Sequence, residues 1–520
     1  MPDPRSRGLS RRQVLVGLAS SAASLGLLAA CGRAGAPPPP SVRGEGAPQR
    51  GGVLRVGALG KRSAIERDPH KVTPNESDYL IACLVFEALT VPGAEPVVPR
   101  LTSAWESSED LRRWKFTIAD GATFHDGSPV AAQDVVWSLQ RLRGLPNGEF
   151  RLPGISAGGI REDSPRSVVI EPDGPNAEVP LIIRLQTFVF KQDTPDPAAA
   201  PGSGPFMLAS YNEGDAVLER NPGWHGGEVP LDRIEVRMFS DTEALTNAVL
   251  GGQIDVALNV GPLAARLAER RDDLQIVRRA NDTAMPIVMR VADGPFADRR
   301  VRQAVRLAVD RPGLVRGALN GYGSVANDIL GTGDPRYLRD LPQRTRDLDG
   351  ARRLLREAGF DTSRSHELFT TSDVPGLVET ATLFATQMKD IGMSVQVVRQ
   401  DSGVFYDRTW LKAPLYTTYW GTNDSVLFFV GRTMLTTSTA NETAWQEPRI
   451  DALYGQALGD PDEARRAQAV RDLQRLQYDG GGYVVWGMAD GVDIAKANVR
   501  GLPQVGGYAR MFLENSWVAA

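Results

Sequence analysis

The stretch LDRIEVRMFSDTEALTNAVLGGQIDVALNV, residues 231–260, does most to limit what this chain can fold into. LDRIEVRMF alternates apolar and polar residues at the strand period, and IDVALNV also reads as a strand. Between them DTEALTNAVLGG has helical spacing, with Asp241 or Thr242 placed to cap the first turn and Gly251–Gly252 placed to stop the helix. Strand, helix and strand in so short a span form a βαβ unit, which needs parallel neighbours in a sheet and a helix on its face. The alternation returns in SVQVVRQ (394–400) and LYTTYW (415–420), so the predicted class is α/β, with mixed sheets flanked by helices.

Other segments supply the rest of such a body. GGVLRVGAL, from Gly51, reads as a strand, and NESDYLIACLVFEAL as a helix whose inward face holds Leu80, Ala82, Cys83, Phe86 and Leu89. Cys83 in that face is predicted to be a buried structural thiol. Trp114, Phe116 and Ile118 alternate as one face of a strand, and Ser128-Pro129 suits a helix start before the stripe Val135, Leu139 and Leu142. His125 and Asp126, flanked by turn residues, read as a turn and not as a catalytic pair. ADRRVRQAVRLAVDRPGLVRGAL reads as two helices split by DRP, with Arg299, Arg300, Arg302 and Arg306 on a solvated face.

A chain of 520 residues has room for two or three domains. Lys plus Arg number 59 against 63 Asp plus Glu, so no basic excess points to nucleic acid. Four histidines and two cysteines leave little material for a metal site. P-loop and H-E-x-x-H signatures do not occur, and GSGPF (202–206) runs into Pro-Phe and not into a helix. A binder without catalytic residues, cofactor or metal is expected.

The N-terminus says where it works. Arg5, Arg7, Arg11 and Arg12 precede an apolar run, Val14–Ala30, rich in small residues. At about 17 residues the run is short for a membrane span, which wants ~20. Charge, apolar middle and small residues before a break describe an export signal over residues 1–30. SRRQVLV resembles a twin-arginine export motif and LLAAC a lipobox, which would make Cys31 a lipidation site. Residues 31–50 then form a Pro/Gly-rich tether. Removing residues 1–30 leaves 55 basic and 62 acidic residues, a net charge of −7.

Eight blocks in order carry a family resemblance: GGVLRVG, AWESSEDLRRWKFTIADGATFHDGSPVAAQDVVWSLQRL, GSGPFMLASYNEGDAVLERNPGWHGGEVPLDRIEV, GGQIDVAL, FADRRVRQAVRLAVDRPGLV, ARRLLREAGF, ATQMKDIGMSVQVV and RIDALYGQAL. They resemble the extracellular solute-binding proteins of family 5, receptors of ABC importers for dipeptides, oligopeptides and nickel. The resemblance covers roughly residues 51–500. It implies a two-lobed periplasmic-binding-protein-like fold with the ligand cleft between lobes: 51–282 plus 486–520 as lobe I, 283–485 as lobe II. The implied partners are a peptide or peptide-sized polar solute, permease subunits and, through the anchor, a membrane. The implied protein is a monomer, held at the outer face of the cytoplasmic membrane or in the periplasm. A nickel chelate or other non-peptide solute is the alternative ligand, and an exported hydrolase using Asp424 and Asp407 is the rival from another class. Two departures stand out: Ala131 replaces the family's capping Thr, and Trp224-His225 stand where Tyr and Trp are usual.

LYTTYWGTNDSVLFF (415–429) is the candidate site, a strand running into a polar loop. In the family's peptide-binding members an Asp of this loop pairs with the peptide α-amino group, and Asp424 is the nearest match. A buried carboxylate without a protein cation would need the ligand to supply the charge. Trp420, Gly421, Thr422, Asn423 and Tyr419 surround it in sequence, with Asn441 and Trp445 of ANETAWQEP as further candidates. Tyr and Trp join apolar bodies to hydrogen-bonding tips and can hold a cation over a ring face. Arg408 and Arg432 are the candidates for a ligand carboxylate.

Overall fold

The computed structural model describes residues 46–520 apart from 73, 74, 94, 147, 185 and 423. The export signal, Cys31, the tether up to residue 45 and Asn423 lie outside the described residues. The described residues form one compact unit.

The βαβ unit is present in modified form. Its strand Arg233–Phe239 leads to helix Thr242–Leu250, and Asp241 caps that helix by accepting the Ala244 N–H at 2.8 Å. The second strand is only Val256–Ala257. The two do not touch: the N-terminal strand Val53–Leu59 lies between them, parallel to both, with Val56 opposite Val236 on one side and Val256 on the other. A side chain at Gly57 would collide with Ile254, Leu245 and Phe239, so glycine lets the crossover helix sit close to this strand.

These strands belong to a mixed sheet of 12 strands. Its path runs Ser394–Arg399, Ser365–Thr370, Leu415–Thr417, Leu274–Met289, Tyr483–Lys496, Val256–Ala257, Val53–Leu59, Arg233–Phe239, Asp215–Arg220, Phe206–Asn212. Gly323–Val325 joins alongside Tyr483–Lys496, and Trp420–Gly421 alongside Leu274–Met289. The two long strands are antiparallel, Leu274 facing Lys496 and Val288 facing Tyr483, with irregularities between Arg279 and Thr283 and between Ala284 and Pro286. A separate four-stranded sheet contains Trp114–Ile118 and packs on helix Ala132–Gly144 through Phe116, Val135 and Leu139.

Several expectations need correction. The helix after Pro129 starts at Ala132, not Ser128; Asp134 accepts the Ala131 N–H at 2.8 Å, while Ser128 is held in a turn by Asp126. LYTTYW is not one strand, since Leu415–Thr417 and Trp420–Gly421 are separated. The largest revision concerns the arginines of helix Arg299–Ala308. Arg299 and Arg300 are exposed, but Arg302 and Arg306 are buried. Arg306 donates to the carbonyls of Tyr478, Gly481 and Tyr483 at 3.0, 2.6 and 3.0 Å, and Arg302 to that of Gly480 at 2.8 Å. The carbonyls of Tyr478, Gly480 and Gly481 close helix Glu463–Gly480, whose C-terminus carries partial negative charge, and that of Tyr483 opens the strand after it.

Glycine use in GSGPF also becomes clear. Gly202 and Gly204 run against the backbone of Val85, and a Cβ on Gly202 would lie 1.8 Å from the Val85 carbonyl oxygen. The motif is a close backbone crossing. Cys83 is buried, and desolvation pushes its thiol up to about 12.

His70 makes a testable contribution to stability. It is fully buried, and its Nε2 lies 2.7 Å from the Phe188 carbonyl, the geometry of a donating N–H. Its Nδ1 lies 2.9 Å from an Arg141 guanidinium nitrogen, which then donates to it. Burial lowers its pKa from 6.5 to about 4. Between those values the unfolded chain binds the proton and the folded chain does not, so stability falls as pH falls through this window. The loss should reach roughly 3 kcal/mol. Urea unfolding at pH 7 and pH 4.5 checks it, since His70→Gln should remove that share of the pH dependence.

Candidate functional site

The sheet fixes the candidate strand. Trp420 and Gly421 pair with Ala284 and Thr283 of the long strand Leu274–Met289. The Thr422 amide donates to the Asp282 carbonyl at 3.0 Å, its hydroxyl donates to that of Asn281, and its own carbonyl accepts the Gly333 amide at 3.0 Å. Thr422 is therefore a buried anchor of the loop. Ser425 caps helix Val426–Thr433 by accepting the Phe428 N–H at 3.0 Å. Asp424 lies just before this cap and is partly buried.

Asp424 has a protein cation. The guanidinium of Arg184, with 2% of its side chain exposed, donates to one of its carboxylate oxygens. The expectation of an uncompensated charge at Asp424 is thus corrected. The charge balance around it still favours a cation. A cavity of about 260 Å³ brings together Glu178, Leu181, Asp334, Arg336, Asp424 and Ser425. Arg336 donates to Glu178 at 2.9 Å and to Asp334 at 2.8 Å, and Asp334 also accepts the Val426 N–H at 2.8 Å. Three carboxylates, Glu178, Asp334 and Asp424, face two guanidinium groups, those of Arg184 and Arg336.

The residue missed in the sequence is Glu442, inside ANETAW. Its side chain is buried, with its carboxylate held by four neutral donors: Trp410 Nε1 at 2.7 Å, Trp420 Nε1 at 3.0 Å, Tyr483 Oη at 2.8 Å and Thr418 Oγ1 at 3.0 Å. Burial raises its pKa, and those four bonds work against the rise. Trp420 is fixed at its nitrogen by Glu442, and its ring meets Phe429 edge-on at 6.2 Å. Tyr419 is more exposed, and its hydroxyl is hydrogen-bonded to that of Tyr406.

The other candidates are placed as follows. Asn441 donates to the carbonyls of Leu435 and Trp445 and accepts the Trp445 N–H, which closes its own turn. The Trp445 ring packs over Gly480. Arg408 and Asp407 are exposed and pair with each other at 3.7 Å. Arg432 donates to the Phe150 carbonyl at 2.7 Å and stacks on the Phe428 ring at 3.7 Å. Trp224 and His225, the two unusual residues of NPGWHGG, both bind buried Glu87, at 2.9 and 3.0 Å. Burial alone would raise Glu87, but His225 and Arg100 hold it below its usual range.

A family model, described as bacterial extracellular solute-binding proteins, family 5 middle, matches residues 96–442. The chain is 22% identical over 464 residues to the probable D,D-dipeptide-binding periplasmic protein DdpA of Escherichia coli K12, covering 82% of this chain and 87% of that protein. It is 23% identical over 475 residues to the nickel-binding periplasmic protein of the same organism, covering 84% of this chain and 89% of that one. The crystal structure of the ABC transporter substrate binding protein CtaP from Listeria monocytogenes superposes with a TM-score of 0.80 at 18% identity, covering 91% of this chain and all of that one. Its two-lobed class and mixed sheet are those of the periplasmic binding proteins. The chain belongs to family 5 of the bacterial extracellular solute-binding proteins, the substrate-capturing receptors of ABC importers.

Proposed function

We propose that this receptor captures a peptide, or a peptide-sized polar solute bearing a protonated amine, between two lobes and delivers it to a membrane permease. The lobes are 51–282 plus 486–520 and 283–485. The observation that carries the reading is the acidic cavity at Asp424, whose Glu178 and Leu181 come from the first segment and whose Asp334, Arg336 and Asp424 come from the second. Net negative lining suits a ligand cation, with Arg184 holding Asp424 in place. Contacts between the same segments recur nearby: Arg336 with Glu178, Arg432 with Phe150, and the Ala177 amide on the Leu458 carbonyl at 2.9 Å. The irregularities near Arg279–Pro286 sit where the long strands pass from one lobe to the other, a natural place for a hinge. Export by the N-terminal signal and lipidation of Cys31 would tether the receptor outside the cytoplasm.

The peptide reading is preferred over nickel for a structural reason. His70, His125 and His225 are engaged at three different places, on Phe188, Gly204 and Glu87, while His366 packs against Phe296 and Phe360. A metal chelate would have to bind without a histidine cluster.

Native mass spectrometry of residues 32–520, purified without refolding, tests the ligand class. Release of short peptides on denaturation is expected, and release of a metal chelate or a sugar would overturn it. With such peptides in hand, Asp424→Asn should weaken binding of free-amine forms by ~tenfold and of N-acetylated forms much less. Equal losses would remove Asp424 from the amine role.

A further inference from the structure

A second cavity, of about 590 Å³, is formed between Glu66 and Leu208–Tyr211 and shares no lining residue with the one at Asp424. Helix Glu76–Val85 presents Ile81, Ala82 and Val85 to it, and the edge strand Phe206–Asn212 presents Met207 and Leu208 from the other side. This volume and apolar wall fall in the range of small-ligand sites, ~300–1,000 Å³.

One end of the cavity is polar and short of positive charge. Asp78 is buried there and accepts hydrogen bonds from the Asn75 side-chain amide at 2.9 Å, the Glu66 backbone amide at 3.1 Å and the Tyr211 hydroxyl at 3.2 Å. All three donors are neutral, and Asp78 makes no ion pair among the described residues. Arg67 is turned aside: it lies over the Tyr211 ring at 4.9 Å and donates to the Ala198 carbonyl at 2.8 Å. The Glu66 carboxylate also lines this end and is occupied by the Asp68 amide at 2.8 Å. At the far end Asp126 is already paired with Lys191 at 3.0 Å, and His125 lies 3.1 Å from the Gly204 carbonyl.

We propose that this cavity is a second ligand site, independent of the solute site, and that it takes a small amphipathic amine. The ammonium group lies against Asp78 and the Tyr211 hydroxyl, and the apolar body against Ile81, Val85 and Leu208. Apolar walls offer no row of donors and acceptors for a peptide backbone, whereas one buried carboxylate at one end matches one cation. Burial raises the Asp78 pKa, so a docked ammonium would favour its charged form.

Calorimetric titration of the mature protein, residues 32–520, with 2-phenylethylamine and with its neutral isostere 2-phenylethanol tests this. The amine should bind at least ~tenfold more tightly than the alcohol, the size of a charge-assisted hydrogen bond. Asp78→Asn should erase that preference. Leu208→Trp, which fills the cavity from the half-exposed edge strand and leaves Asp78 in place, should weaken the amine. Asp424→Asn should leave its affinity unchanged. Absence of amine binding, equal affinity for amine and alcohol, or loss of binding in Asp424→Asn with retention in Leu208→Trp would each overturn the proposal. The last outcome would assign the amine to the solute site.

Discussion

Glu442→Ala should destabilise the protein by on the order of 3–5 kcal/mol, because one truncation strips four donors of their acceptor. Trp410, Thr418 and Trp420 reach Glu442 from one stretch of the chain and Tyr483 from another, and Tyr483 is itself buried. Water entering the space of the lost side chain can serve the half-exposed indoles but not the Tyr483 hydroxyl. Glu442→Gln keeps one acceptor oxygen and turns an NH₂ group toward donors, so its loss should be intermediate. Guanidinium unfolding measures both, and the emission of Trp410 and Trp420 should shift red in the Ala variant. A stability within about 1 kcal/mol of the parent would mean that water replaces the carboxylate. If the folded Ala variant also loses solute affinity, the cause is lost positioning of Trp420, and rescue by Gln would follow its partial restoration of the cage.

Arg306→Met is expected to be at least as severe, again on the order of 3–5 kcal/mol, for a different reason. Arg306 has no exposed surface, and its guanidinium serves the carbonyls of Tyr478, Gly481 and Tyr483. Methionine fills much of the volume but leaves all three acceptors without this donor. Desolvation already draws the guanidinium down to about 10, a sign of how much its partners must supply. Arg306→Lys should recover only part of the loss, because an ammonium cannot match the planar fork. Thermal and denaturant unfolding would show the ranking parent, Lys, Met; a Met variant as stable as the Lys variant would remove the carbonyl contacts as the cause.

Both residues show what could and could not be read from the sequence. Apolar periodicity identified the helix of Val301, Ala304, Val305 and Ala308 correctly, because that stripe depends only on local spacing. It placed Arg302 and Arg306 in solvent, since their partners are carbonyls at the end of a helix some 170 positions later. Glu442 stands between two candidates, Asn441 and Trp445, in a stretch that also holds the N–H-bearing indoles of Trp410 and Trp420. What those groups needed was an acceptor, and an acidic residue among them was the available signal. Asp424 is legible as a loop carboxylate, but its cation, Arg184, arrives from 240 positions away and no local pattern announces it. The βαβ unit was legible as elements; the insertion of Val53–Leu59 between its strands was not, because strand order is a tertiary property.

The long strands Leu274–Met289 and Tyr483–Lys496 carry a consequence for biosynthesis. Each residue pair along them joins the middle of the chain to its last forty or so residues. On the ribosome, everything up to residue 482 emerges before the partner of Leu274–Met289 exists, and the short strand Val256–Ala257 waits for the same segment. The nascent chain therefore carries an unpaired apolar edge, Ile287, Val288 and Met289 among it, while residues 290–482 are made. A transporter that accepts only completed folds would have to wait for the final strand.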